Sequence, residues 1–284
     1  MVVQSVPQQM VAIGGLGGSG TRIAAQILQK LDFYIGPTLN LPLDNLLFTL
    51  LFKRHDWIKE FPSDAEICGM IDLFSSAMRD GVGQAFEHFS SDKIENMFSN
   101  VVGNGINSAR FKDILASPAP DMDLYSGMAW KEPNTHVFLP QFMQRFPQMK
   151  YIHVIRNGLD MALSGNRQQL TNWGRHYGIE AGDAPDTRSQ LNFWLAANLR
   201  AIKLGQEMKS GHFYLLNFDD LCLNFETEVR LLEDFLVRKL SEVDIDNFVQ
   251  SIGSSSIGRF RNAPPNTFSS SERKAVQALG FVVD

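Results

Sequence analysis

Four glycines in five positions, Gly14, Gly15, Gly17 and Gly18, run into Ser19, Gly20, Thr21 and Arg22 and constrain this chain more than any other feature. The apolar stretch 10–13 before them reads as a short buried strand. After them Ile23, Ile27, Leu28 and Leu31 recur at helical spacing. Strand, glycine loop and helix together form a phosphate-binding arrangement. Consecutive loop N–H groups converge on one anion, and the helix adds the partial positive charge of its N-terminus. A plain turn needs fewer glycines. Gly17, Gly18 and Gly20 leave room for close approach, while Ser19 and Thr21 carry hydroxyls.

Two common versions of such a loop fit poorly. Residues 15–20 match G-x-G-x-x-G, but that fingerprint also needs a second strand ending in an acid about twenty residues on. Here the region reads PTLNLPLDN, and Asp44 falls in a helical pattern. Residues 15–22 nearly match G-x-x-x-x-G-K-[ST]. Thr21 stands at the lysine position, however, and Arg22 at the hydroxyl that would hold magnesium. A nucleoside triphosphatase would lose both its γ-phosphate cation and its metal ligand. A P-loop kinase with an aberrant loop and a non-catalytic nucleotide binder remain as alternative readings.

Downstream, strands alternate with helices, which implies an α/β fold with a mainly parallel central sheet and ligands at the carboxyl ends of the strands. Strands are expected around Met128 and Ala129, leading into Trp130–Lys131–Glu132–Pro133, at 150–155 and at 213–217. Helices are expected at 43–59, from about Leu159, at 189–208, at 225–240 and near 271–279. Between 63 and 123 the pattern stays helical with no strand, so a helical insertion in a single domain spanning 1–284 is expected. The 284 residues, 44% of them hydrophobic, suffice for a sizeable core. A net charge of −5 with no basic block argues against nucleic acid as a partner. Cys68 and Cys222 belong to no metal-ligand cluster or disulfide framework. The first residues, MVVQSVPQQM, lack the features of a signal peptide, and no apolar run spans a bilayer. A cytoplasmic protein is therefore expected. The oligomeric state is not legible.

Arg156 ends the strand 150–155 and opens R-N-x-x-D-x-x-x-S, with Asp160 and Ser164 following. A strand-end arginine beside a helix start can clamp a phosphate, and a serine within that helix can add a hydroxyl. Arg156 paired with Asp160 in a purely structural role is the competing reading. Ser19-Gly20-Thr21 closes the small-residue run, WKEPNTHVFLP precedes FPQMKYIHVIRN, LLNFDDL follows, and IGRFRN comes late. In this order the segments resemble the sulfotransferases, whose donor is 3'-phosphoadenosine-5'-phosphosulfate (PAPS). The resemblance implies a P-loop-like three-layer fold, a PAPS co-substrate and no metal. It places the 5' end of the donor at Gly17, Gly18, Ser19, Gly20, Thr21 and Arg22. The 3'-phosphate falls to Arg156, Ser164 and Arg259 or Arg261.

One departure stands out. The family's loop carries a basic residue just before the serine, where this chain has Gly18. Lys131 and Arg22 are the candidate replacement cations. Asp44, roughly where the family often places a catalytic acid, is the candidate base, with His55, Glu132 and His136 as rivals. Trp173 and Trp194 are candidates for an acceptor pocket or for the core. The acceptor is expected to be a small molecule, sugar or lipid-like hydroxyl or amine.

Overall fold

A computed structural model describes residues 9–103, 106–180, 186–253 and 256–284. Five parallel strands form one sheet in the order β2-β3-β1-β4-β5, with β1 Gln9–Gly15, β2 Phe33–Tyr34, β3 Gly127–Lys131, β4 Lys150–Ile155 and β5 Phe213–Asn217. The three central strands are buried almost throughout, as expected of parallel strands covered on both faces. The edges are a two-residue strand and a partly exposed one. In the β1–β3 register Ile13 is paired with Lys131, and the glycine loop begins at the next residue after Ile13.

The chain divides into two compact units. The first takes residues 1–13 and 22–151, with α1 Thr21–Lys30, α2 Leu46–Phe52, α3 His55–Lys59, α4 Asp64–Asp80, α5 Val82–Ala85, α6 Ser91–Ser99, α7 Ser108–Leu115 and α8 Leu139–Arg145. Its core is aromatic. Phe48 lies 4.5 Å from Phe52, Phe52 lies 5.3 Å from Phe138, and Trp130 sits 5.3 Å from Phe74 and 5.1 Å from Phe142. Helix α2, LLFTLLF, is wholly buried in this cluster, so the residues at its two ends are fixed in place.

The sequence pattern predicts one helix over 43–59, and the structure breaks it twice. Leu43 adopts φ +66°, and Asn45 caps α2 by accepting from the Phe48 N–H. At the other end Lys53 leaves the helical region, and Arg54 is extended and bridged to Val101. The helical stretch after Ser63 begins at a capping box, in which Ser63 and Glu66 satisfy each other's backbone groups.

The second unit takes residues 14–21 and 152–284, with α9 Gly158–Ala162, α10 Gln168–Trp173, α11 Thr187–Glu207, α12 Phe218–Leu223, α13 Phe225–Leu236, α14 Glu242–Ser251 and α15 Ser270–Gln277. Trp194 of α11 packs on Gly158, where a Cβ would come within 2.7 Å of its ring, and donates to the Arg156 carbonyl at 3.1 Å. The helix expected over 225–240 stops at Leu236, because Val237 turns left-handed with φ +55°. Among the described residues no helix is long and apolar enough to cross a membrane. Of the Ser-rich stretch 254–256, Ser254 and Ser255 lie outside the described residues.

Candidate functional site

The glycine loop follows β1 in the second unit. Gly18 and Gly20 hold φ +96° and +94°, a region that side chains rarely adopt. A Cβ on Gly20 would stand 1.9 Å from the Phe218 ring, so only glycine fits there. The Arg156 guanidinium lies 5.1 Å from the centroid of that same ring. Within the loop, the Ser19 amide donates to the Leu16 carbonyl at 2.9 Å, and the Gly17 amide donates to Gln169 Oε1 at 2.9 Å. The Gly17 amide is thus already engaged by a side chain. Ser19 is 1% exposed, yet its hydroxyl meets no hydrogen-bond partner among the described residues.

Arg156 leaves the end of β4 almost buried. One Nη donates to the Gly18 carbonyl at 3.2 Å and the other to the Ser256 carbonyl, while Nε meets no hydrogen-bond partner among the described residues. Burial lowers its pKa and the Arg259 charge adds to that, while Asp219 and Asp160 oppose it. The Arg259 charge thus disfavours that of Arg156, a repulsion that an anion relieves.

Asp160 is not the hydrogen-bonded partner of Arg156. Its carboxylate accepts from the amides of Gly258 (2.7 Å) and Phe260 (2.9 Å), and its carbonyl accepts from Arg259 Nη2 at 3.0 Å. It anchors the late basic segment and brings Arg259 toward Arg156. Arg261 turns away to the main-chain oxygen of Asp284 at 2.9 Å. The sequence places Ser164 inside the helix after Arg156, but α9 ends at Ala162 and Ser164 lies beyond it. Its hydroxyl accepts from the Asn166 amide at 3.2 Å.

The first unit holds a second cluster. Lys131, 2% exposed at the end of β3, donates to Asp44 Oδ1 and to the Pro42 carbonyl at 2.9 Å. Asn40 Nδ2 donates to the other Asp44 oxygen at 2.8 Å, and the Asp44 amide donates to Asn40 Oδ1 at 2.7 Å. Two residues selected separately from the sequence, Lys131 and Asp44, are therefore one ion pair. The rivals to Asp44 are placed differently. Glu132 is fully buried and held by Asn134 and Lys53, His136 is fully buried, and His55 is exposed at the start of α3. Arg22 is exposed in the first turn of α1. Trp173 and Trp194 are core residues.

The model of the Sulfotransferase family matches residues 10–242. The chain belongs to the sulfotransferase family. Its members are enzymes that use PAPS. Among solved structures it is similar to the sulfotransferase domain of the olefin synthase of Synechococcus PCC 7002, at 15% identity and a TM-score of 0.52, covering 99% of both chains. It is also similar to the sulfotransferase domain of the curacin biosynthetic pathway, at 13% identity and a TM-score of 0.51, covering 98% of this chain and 99% of that one. These likenesses bear on the fold. No curated protein matches.

The residues of this sulfotransferase suit a doubly phosphorylated donor. Among the described residues the buried Ser19 hydroxyl and Arg156 Nε have unmet bonding capacity, which is costly inside a protein unless a ligand supplies the partner. The departure at Gly18 also has a backbone explanation, since a basic side chain at φ +96° would be strained. Sequence reasoning gave no site role to Phe218, Asp219 or Lys53. Phe218 and Asp219 lie in the LLNFDDL segment, whose resemblance to the family was the available signal. Nothing local marked Lys53.

Proposed function

We propose that this enzyme transfers a sulfuryl group from PAPS to the hydroxyl or amine of a small-molecule, sugar or lipid-like acceptor, without a metal. The observation that carries the reading is the buried Arg156 donating to the Gly18 carbonyl of the glycine loop, with Arg156 Nε and the Ser19 hydroxyl meeting no hydrogen-bond partner among the described residues. When bound, the donor supplies an activated sulfuryl group on a phosphate leaving group. Arg156, Arg259 and Ser164 are assigned to its 3'-phosphate. Amides and hydroxyls of residues 17–22 are assigned to its 5' end, with Gly17 available only if Gln169 releases it. Arg22 in place of the magnesium-binding hydroxyl supports chemistry without a metal.

Asp44 is assigned the acceptor proton. Its side chain is 18% exposed and reachable, whereas Lys131 beside it is 2% exposed. Lys131 is assigned to stabilise the negative charge that develops during transfer. One experiment tests the assignment: adenosine 3',5'-bisphosphate binding by calorimetry, alongside transfer of labelled sulfate from PAPS to an acceptor panel. Arg156→Ala is expected to weaken bisphosphate binding by about 2–4 kcal/mol. Lys131→Ala is expected to leave binding nearly intact and lower kcat about a hundredfold. Unchanged bisphosphate affinity in folded Arg156→Ala removes the 3'-phosphate assignment. Unchanged turnover in Lys131→Ala removes the assignment of the cation.

A further inference from the structure

The Gly17 amide, which opens the stretch of loop assigned to the 5' end of the donor, donates to Gln169 Oε1 at 2.9 Å. Gln169 is the second residue of α10, a helix anchored by the buried Leu170 and Trp173, and is itself half-buried. Glycine loop and α10 belong to the same compact unit.

A second carboxamide lies against the same glycine. A Cβ added at Gly17 would stand 2.9 Å from Asn166 Nδ2, so the amino side of Asn166 faces Gly17. Its oxygen accepts from the Gln168 amide at 3.4 Å, and its main-chain carbonyl accepts from Gln190 Nε2 at 3.2 Å. Asn166 thus offers this part of the loop a donor, and Gln169 offers it an acceptor. The three side chains and Gly17 line one pocket with Leu16 and Trp194, which leaves space beside Gln169 for its carboxamide to turn.

A loop amide without an acceptor is costly, and Gln169 satisfies it with a neutral oxygen. A phosphate oxygen is charged, and hydrogen bonds to a charged acceptor are roughly twice as strong. An anion that reaches the loop therefore takes the Gly17 amide from Gln169, and the exchange costs it the bond that Gln169 gives up.

We propose that Gln169 is a displaceable stand-in for an oxygen at the 5' end of the donor. It holds the Gly17 amide between turnovers, yields it to the incoming phosphosulfate, and takes it back as the bisphosphate product leaves. Gln169 is thus a positioning residue that sets affinity by competition, and only for ligands that carry an anionic group at the 5' end. A nucleotide without that group leaves Gln169 in place. The proposal rests on residues 17–22 holding the 5' end of the donor.

Calorimetric titration of the full chain with adenosine 3',5'-bisphosphate and with adenosine 3'-monophosphate tests it. Gln169→Ala removes the competing acceptor. It is expected to tighten the bisphosphate about fivefold, the equivalent of one ordinary hydrogen bond, and to leave the 3'-monophosphate unchanged. Gln169→Glu keeps the length of the side chain and places a charged acceptor on the amide. It is expected to weaken the bisphosphate about tenfold or more and the 3'-monophosphate by much less, and it carries the test if Gln169→Ala does not fold. Bisphosphate affinity that is unchanged or weaker in folded Gln169→Ala overturns the proposal. So does a change of equal size for both nucleotides in either variant, which is what a purely structural side chain would give. The 3'-monophosphate separates the two levels of failure. If it binds while Gln169→Ala gains nothing for the bisphosphate, only the role of Gln169 falls. If neither nucleotide binds the unmodified protein or Gln169→Ala, the donor reading falls and the proposal with it.

Discussion

At the scale of single residues, Asp219 is the group whose charge state bears most directly on the proposed 3'-phosphate site at Arg156. Burial raises its pKa to about 6, with Arg156 opposing the effect and Asp160 adding to it, and its Oδ1 meets no hydrogen-bond partner among the described residues. It borders a cleft of 350 Å³ shared with Asn157, Asn217, Phe260 and Val282. Below about pH 6 the neutral acid leaves the Arg156 charge available to an anion. As pH rises through that value, ionised Asp219 offsets Arg156. Asp219→Asn is therefore expected to bind adenosine 3',5'-bisphosphate more tightly than the unmodified protein, on the order of tenfold at pH 8 and by little at pH 5. Phosphate itself titrates near pH 6, so the ratio of the two proteins' affinities, measured calorimetrically at each pH, is the decisive quantity. A ratio that does not change with pH removes Asp219 from the site's electrostatics.

At the scale of elements, β4 carries a titratable group in its interior. His153 is fully buried and shares a 2.9 Å hydrogen bond with Asn198 of α11, and burial lowers its pKa to about 4 although that bond opposes the shift. Its folded-state pKa lies below the ordinary histidine value, so between about pH 6.5 and 4 the unfolded chain binds a proton that the folded one refuses. Stability is thus expected to fall as pH drops through this window, by up to roughly 3 kcal/mol from this residue alone, and to level off below it. His153→Gln keeps a partner for Asn198 and does not titrate. Denaturant unfolding at pH 7 and pH 5 is expected to show a smaller loss for the variant. An equal loss in both proteins places the acid sensitivity elsewhere.

At the scale of the whole molecule, a ligand that binds only the folded chain stabilises it by mass action. Adenosine 3',5'-bisphosphate at a hundred times its Kd is expected to add about 2.7 kcal/mol. The same gain is expected with chelator present, since Arg22 occupies the place of the magnesium-binding hydroxyl. Thermal unfolding with and without EDTA measures this, and a gain abolished by chelator overturns metal-free donor binding.

What the sequence by itself determined was local and periodic. Glycines 14, 15, 17, 18 and 20, and the apolar runs that became β1, β4 and β5, specify backbone conformation and burial within a few residues of themselves, so the α/β alternation and the glycine loop after β1 were legible. The two-residue strand β2 was too short to leave a periodic signal, and the break between α2 and α3 depends on Arg54 bridging to Val101, far along the chain. Pairings between distant residues belong to the tertiary structure alone. It joined Lys131 to Asp44, turned Asp160 toward Gly258 and Phe260 instead of Arg156, left the Ser19 hydroxyl without a partner among the described residues, and brought Lys53 to Glu132. The physical reason is that a buried charge takes whichever partner the packing brings within a few ångströms, and spacing along the chain does not encode that choice.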